Sequence, residues 1–407
     1  MRLGNEKNGS VLQVLTERQR VDWVLLGLLS ALAALGLVMV FSASIAQAER
    51  VLDDATYYGR LQAIYLAIAF VAAFAVWRVP LDLLEEYGPA ILCLGFLLLF
   101  LVLLPFIGKS VNGSRRWIDL GVSFQPSEFF KIAIIVYLAG YFVRKGSQLK
   151  TDITVFLVPL GIAAMAAMLL LMEPDFGATV VIIATAVAMM FVAGCRWWHF
   201  LLTLVVVAPL GLIAILISPY RKTRLFSFIN PWDDPFATDF QLTQSLIAVG
   251  RGSWSGVGLG NSVQKMAYLP EAHTDFVFAV YAEEMGFIGV AVLLVLFSLI
   301  VARCFKIARN ADRAGLVFGS HIATGVGFWL GLQAFINIGA NMGVLPTKGI
   351  TLPLFSYGGS SVLAVGIACG LVMRVNREVA LQTESDLARS VADRVETVPA
   401  KVVVQHV

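Results

Sequence analysis

Long apolar runs separated by short polar stretches dominate the chain. Ten such runs lie near residues 22–44, 59–79, 87–107, 126–143, 154–172, 175–194, 198–217, 275–301, 314–342 and 360–376. At about 1.5 Å rise per residue, a run of about 20 apolar residues crosses roughly 30 Å of hydrocarbon and reads as a transmembrane helix. The pattern predicts an all-α polytopic membrane protein with about ten helices over 21–377. Residues 1–20 form a polar tail in which Val11, Leu12, Val14 and Leu15 are open to a short interfacial helix or to disorder. Residues 378–407 lose the hydrophobicity and read as a soluble tail. One large polar interruption, 218–274, separates the seventh and eighth runs. Ala46-Gln47-Ala48 mimics a signal cleavage site, but a polar stretch precedes the first run, which is too long for a signal peptide. It reads as an uncleaved first helix.

Composition narrows the class. Of 407 residues, 58% are hydrophobic and 14% charged, which excludes a soluble domain of this size. A net charge of +3 without a basic–aromatic cluster gives no sign of a nucleic-acid partner. Cys93, Cys195, Cys304 and Cys369 fall in apolar runs or at their cytoplasmic ends, so neither disulfides nor a zinc ribbon are expected.

Orientation follows from Lys and Arg. With the N-terminus inside, 18 of the 30 basic residues fall in inner loops and tails, which favours an N-in, C-in topology and puts 218–274 outside the cytoplasm. The exceptions matter more. Lys109, Arg115 and Arg116 lie in the outer connection between the third and fourth runs, and Arg221, Lys222, Arg224, Arg251 and Lys265 in the large loop. Cations on the translocated side suit an anionic ligand such as a phosphate head group, or ordinary contacts with lipid heads and loop acids. Four outward helix starts carry capping signals: Gln125-Pro126-Ser127-Glu128, Glu173-Pro174-Asp175, His273-Thr274-Asp275 and Tyr357-Gly358-Gly359-Ser360. Helix N-termini attract anions, and what matters is whether these converge.

The most informative stretch is Tyr268–Gly286. Asp275 falls one residue inside the eighth run, and Glu283 and Glu284 follow two turns deeper. Carboxylates in membrane segments are costly and are functional candidates by default. Asp275 can be read as a general base, as a proton or cation site of a transporter, or as a helix cap. His273 either orients and titrates with it or contacts head groups. Glu128 and Lys131, three residues apart, share a helix face and read as an ion pair shaping a cavity wall. Arg251–Gly260, with Gly256, Gly258 and Gly260, has no βαβ context. It reads as a flexible or re-entrant segment lining a polar cavity, and its glycines suggest a movable lid. Asn230-Pro231-Trp232-Asp233-Asp234-Pro235 reads as a rigid turn, solvated or holding a divalent cation. The four histidines are too scattered for a His-based metal site or a Ser–His–Asp triad.

Taken in order, several motifs resemble the SEDS family (shape, elongation, division and sporulation proteins), the peptidoglycan glycosyltransferases that include FtsW and RodA. They are Asn112-Gly113-Ser114-Arg115-Arg116-Trp117, Gln125-Pro126-Ser127-Glu128, Glu173-Pro174-Asp175-Phe176-Gly177, Asn230-Pro231-Trp232, Gln241–Lys265, Tyr268–Phe276, Leu345–Pro353 and Ser356–Ser361. The likeness runs from about Arg18 to Glu378. Pro346-Thr347-Lys348-Gly349 and Gly358-Gly359-Ser360-Ser361 resemble the division branch, whose pattern the sporulation members share, more than the elongation branch.

The resemblance implies polymerisation of lipid II outside the inner membrane, at the division septum, with Asp275 as the essential aspartate. It implies substrate contacts for Arg115, Arg116, Lys265, His273, Arg221 and Arg224. Cavity-shaping roles fall to Glu128, Lys131, Glu173, Asp175 and Lys348. The expected partners are lipid II, the lipid-linked nascent glycan, a class B penicillin-binding protein and other divisome membrane proteins. A divalent cation, Mg2+ or Mn2+, is an open expectation. A compartment without nucleotide sugars requires a donor carrying its own leaving group, as a lipid pyrophosphate does. Two other classes stay in view: a lipid II flippase with Glu283 and Glu284 as switches, and a scaffold that only recruits the penicillin-binding protein.

Overall fold

The computed structural model describes residues 21–111, 114–119, 121, 123–146, 148–149, 152–217, 231–232, 240–266, 269–346 and 349–396. Its helices are α1 (Trp23–Leu52), α2 (Tyr57–Arg78), α3 (Leu81–Leu103), α4 (Pro126–Lys145), α5 (Ile153–Met172), α6 (Phe176–Val192), α7 (Trp197–Ile217), α8 (Phe240–Gly252), α9 (Val277–Arg313), α10 (Val317–Asn341) and α11 (Gly359–Glu396). Among the described residues, eight helices are long and apolar enough to cross a membrane. The shorter α6 is apolar as well, and so is α7 over 21 residues.

Burial sorts the helices into an inner and an outer set. Of the most apolar window of α4, and likewise of α10, 78% is buried by other protein, against 17% for α2. The inner helices can therefore carry polar side chains, while the outer ones must present apolar atoms to lipid. α2 packs along α11 through small residues. A Cβ on Gly366 would lie 2.9 Å from Ala69, and one on Gly370 would lie 2.5 Å from the Ala73 carbonyl. Without a hydrophobic drive inside lipid, such close backbone approach is a main source of helix association. At the far end of the bundle Asp22 caps α1 through the Leu25 amide at 2.9 Å. It also accepts from Arg303 near the end of α9 at 2.8 Å, tying the two helices together.

Three features depart from the sequence reading. The connection after α3 is a small antiparallel sheet, β1 (Gly108–Val111), β2 (Ser114–Asp119) and β3 (Ser123–Phe124), too short to show in hydropathy. Within the large loop, α8 packs on α9. The last helix continues past 377, well into the stretch read as a tail.

α9 is broken at Gly286, whose φ of 64° and ψ of −165° leave the helical region. The loop after α8 fills the break. Val257 and Gly258 amides donate to the Glu283 and Glu284 carbonyls, each at 3.0 Å, and Phe287 and Ile288 amides donate to the Ser253 and Trp254 carbonyls at 2.9 and 3.2 Å. Four backbone groups flanking the break thus find partners in the loop. Gly256 is required there, because a Cβ would stand 2.0 Å from the Glu284 carbonyl oxygen.

Candidate functional site

The helix starts read from sequence do converge. The Gln125 amide donates to Ser360 Oγ at 3.0 Å, and the Gln125 side chain donates to Asp175 Oδ2 at 3.3 Å. The Tyr357 amide donates to the His273 carbonyl at 2.9 Å. The beginnings of α4, α6 and α11 and the turn before α9 therefore share one end of the bundle. Asp175 caps α6 through the Ala178 amide at 3.1 Å, and Ser127 donates to its other oxygen at 3.3 Å.

Asp275 lies in the turn 271–276, before α9 rather than one residue inside it. The reason is local: the Phe276 amide turns back to the Glu271 carbonyl at 3.2 Å, and Phe276 itself is non-helical. The Asp275 carbonyl is held by side chains of α10, accepting from Asn337 at 3.1 Å and Asn341 at 3.0 Å. The same Asn337 amide reaches the Ile350 carbonyl at 2.5 Å. It thereby fixes the Asp275 turn against Gly349-Ile350. Asp275 Oδ2 is 3.2 Å and Arg116 Nη1 3.7 Å from the point where a Gly349 Cβ would stand. A carboxylate and a guanidinium therefore face one bare α-carbon.

Arg116 has a second attachment. Half-buried on β2, it donates to the Pro174 carbonyl, and its charge acts on the adjacent Glu173. Glu173 is fully buried, and neither carboxyl oxygen has a hydrogen-bond partner. Burial pushes this carboxyl up to about 9, helped by the charge of Asp175 and opposed by Arg116. Glu173 is therefore a neutral acid near neutral pH. Arg115, the next residue along the same strand, is exposed, in keeping with side chains alternating across a strand.

His273 is buried between rings. Its centroid lies 4.5 Å from that of Tyr58 and 5.5 Å from that of Tyr357, and Nδ1 has no hydrogen-bond partner. Burial lowers its pKa, against the pull of Glu271, so the imidazole is held neutral. Glu128 and Lys131 are paired at 2.8 Å, and Lys131 also donates to Gln333 Oε1 at 2.7 Å. Gln333 in turn donates to the Thr351 carbonyl at 2.9 Å, so the pair buttresses the segment that follows Gly349.

Lys265 joins a different group. It is buried, 2.7 Å from Glu284 and 2.9 Å from Ser42 Oγ, so its charge is neutralised inside the bundle. Glu283 accepts from Arg251 at 3.0 Å, Ser262 at 2.5 Å and the Val263 amide at 3.1 Å. These acids anchor the Gly-rich loop to α9. Arg221, Arg224, Lys348 and the Asp233-Asp234 pair lie outside the described residues. Among the described residues no three His, Cys, Asp or Glu side chains form a metal-ligand group. Asn337, Asn341 and Gln333 were missed by the sequence reading. Their signal was present, since polar amides spaced four apart share one face of an otherwise apolar helix.

A bundle of apolar helices with an ionisable cluster where several helix starts meet defines a multi-pass membrane protein with a polar site at one end. The chain belongs to the FtsW/RodA/SpoVE family of cell cycle proteins, which it matches over residues 22–381. It is 53% identical over 359 residues to the probable peptidoglycan glycosyltransferase FtsW of Nitrosococcus halophilus, covering 88% of this chain and 92% of that one. Its identity with the corresponding protein of Coxiella burnetii is 49% over 357 residues, 88% and 96% of the two chains. Among solved structures, a chain of a peptidoglycan synthase complex that coordinates polymerization and crosslinking superposes with a TM-score of 0.72 at 31% identity, covering 88% of this chain and 98% of that one. Thermus thermophilus RodA, a rod shape determining protein, gives 0.64 at 29%, covering 88% and 97%.

Proposed function

We propose that the chain is a peptidoglycan glycosyltransferase that polymerises lipid II into septal glycan, with Asp275 as general base. The observation that carries this reading is the meeting of the Asp275 carboxylate and the Arg116 guanidinium over Gly349. Asp275 takes the proton from the 4-hydroxyl of the lipid II N-acetylglucosamine. That oxygen attacks C1 of the N-acetylmuramic acid on the lipid-linked strand. The bond from C1 to the pyrophosphate oxygen breaks with inversion, and polyprenyl pyrophosphate leaves. Arg116 supplies fixed positive charge towards the departing pyrophosphate, at a place where no reorganisation is needed. Arg115, Arg221, Arg224 and Lys348 are further candidates for phosphate contacts. Lys265 is not needed for this step, given its partner Glu284.

The topology that goes with this reading is N-in and C-in across the inner membrane, with the Asp275 end outside. On the likeness to the synthase complex, a class B penicillin-binding protein is the proposed crosslinking partner, with other divisome proteins around it. The test is glycan polymerisation from lipid II by the purified protein with its partner, the partner's transpeptidase blocked and other polymerases excluded. Wild type should make polymer, and Asp275→Asn should make none while melting normally and still binding lipid II. Polymer from Asp275→Asn would overturn the base assignment. Head-group transfer across vesicles without polymer from wild type would support a flippase instead.

A further inference from the structure

The turn that carries Asp275 is strained. Glu271 has a φ of 55°, in the left-handed region that residues with a side chain rarely adopt. Such a conformation persists only where its surroundings over-determine it. Part of the hold is internal. Thr274 Oγ1 donates to the Glu271 carboxylate at 2.8 Å, and the Thr274 and Phe276 amides both donate to the Glu271 carbonyl at 3.2 Å. Another part comes from α10, through the two asparagines on the Asp275 carbonyl. His273, in the middle of the turn, is fixed through its ring and its own carbonyl.

The second residue of α2, Tyr58, supplies the ring contact. Its centroid lies 4.5 Å from that of His273, with the planes tilted by 39°. It lies 5.2 Å from that of Tyr357, nearly edge-on at 80°. His273 and Tyr357 are 5.5 Å apart, tilted by 49°. Three rings thus meet pairwise at separations where aromatic pairs attract. The Tyr357 amide also donates to the His273 carbonyl at 2.9 Å, so the segment leading into α11 holds both ring and backbone of one residue. Packing fixes where α2 stands. A Cβ on Gly59 would lie 2.4 Å from the Phe41 ring of α1, and one on Gly359 would lie 2.9 Å from the Tyr65 ring of α2. α2 is therefore pressed against α1 and the start of α11, and it carries Tyr58 to the turn as part of a fixed frame. His273 is only 3% exposed, so its ring is committed to protein.

We propose that Tyr58 is a positioning residue for the reaction. Its ring holds His273, and through it the Asp275 turn, from α2 as the two asparagines hold that turn from α10. The inference deepens the reading of Asp275 as general base and rests on it. The test pairs hydrogen–deuterium exchange with polymerisation kinetics on the full chain with its partner. Tyr58→Leu should raise exchange over 271–276 by about tenfold and leave α9 and α10 at wild-type protection. It should lower kcat by roughly 10- to 100-fold with KM for lipid II unchanged. Tyr58→Phe, which keeps the ring, should stay within about twofold of wild type in both measurements. Tyr57→Leu, at the exposed neighbouring ring, should change neither. Unchanged exchange over 271–276 in Tyr58→Leu would overturn the proposal, and so would a loosened turn with a wild-type kcat. A raised KM at wild-type kcat would make the ring a substrate contact, and equal loss in Tyr58→Phe would put the effect on the hydroxyl; either overturns it. Loosening spread through α9 and α10 would mark a residue of the fold at large and overturns it too. Exchange needs no turnover, so the hold on the turn is read equally well in the Asp275→Asn background. Polymer from Asp275→Asn would remove the base assignment and is seen in that variant alone, apart from any result at Tyr58.

Discussion

The side-chain amide of Asn337 donates to the backbone carbonyl of Asp275 at 3.1 Å. That bond holds the main chain of the proposed base while its carboxylate faces Gly349. On the proposed assignment Asn337 is a positioning residue, acting on the reaction through Asp275. Asn337→Ala should lower the polymerisation rate by roughly 10- to 100-fold with little change in KM for lipid II. It should also cost about 1–3 kcal/mol of stability from the carbonyls left without a partner. Rate, KM and melting temperature on one preparation separate these effects. A variant that melts early but turns over at the wild-type rate would leave Asn337 a structural residue only.

Glu173 gives a pH signature. Its folded-state carboxyl sits near 9, well above the ordinary value of 4.5. Between those values the unfolded chain has lost the proton and the folded chain keeps it. Stability therefore falls as pH rises through that window and levels off above about 9. Glu173→Gln, which mimics the neutral acid, should retain polymerisation and flatten this part of the melting profile. Thermal melts from pH 5 to pH 9 in one detergent would check it; loss of polymerisation in Glu173→Gln would show that the proton itself is used.

Lys265 and Glu284 make a separate prediction. Removing one partner leaves an uncompensated charge inside the bundle, which costs about 3–5 kcal/mol. Lys265→Met should therefore destabilise strongly, and Lys265→Met/Glu284→Gln should recover most of the loss. Melting temperatures of the two variants suffice. Rescue of activity along with stability would confirm that the pair acts on the fold and not on substrate.

Gly256 can be tested alone. Ala at this position puts a Cβ 2.0 Å from the Glu284 carbonyl oxygen, and the Gly256 φ of 77° disfavours any side chain. Gly256→Ala should undock the loop and give a poorly stable protein, whereas Gly250→Ala, on α8 with open space around it and no positive φ, should stay within about 1 kcal/mol of wild type. Limited proteolysis of the loop reads the difference directly.

Hydropathy made the helices legible because a membrane helix needs only its own residues to declare itself. Asp275, Glu128 and Lys131 were legible for the related reason that charge beside hydrocarbon is costly. The assignments that shifted depend on distant partners. Lys265 looked like a substrate cation until Glu284 and Ser42 were brought beside it. Glu283 and Glu284 looked like switches, yet both are engaged by loop or helix groups. The sheet at 108–124 was hidden because its strands are short and its bulge between Lys109 and Ser110 breaks any alternation. Asp275 moved out of the helix because Glu271 and two asparagines of α10 hold its turn, and no local pattern reports them.

The break in α9 bears on how the chain is made. Four backbone bonds of a membrane helix come from the loop that precedes it in sequence. Unmade in a low-dielectric setting, each such group is costly by several kcal/mol. The loop emerges from the ribosome before α9, so its partner segment is already present when the helix enters the bilayer. Helix and loop then mature as a single splice, and a chain interrupted between 258 and 277 would deliver a helix with a hole in its ladder.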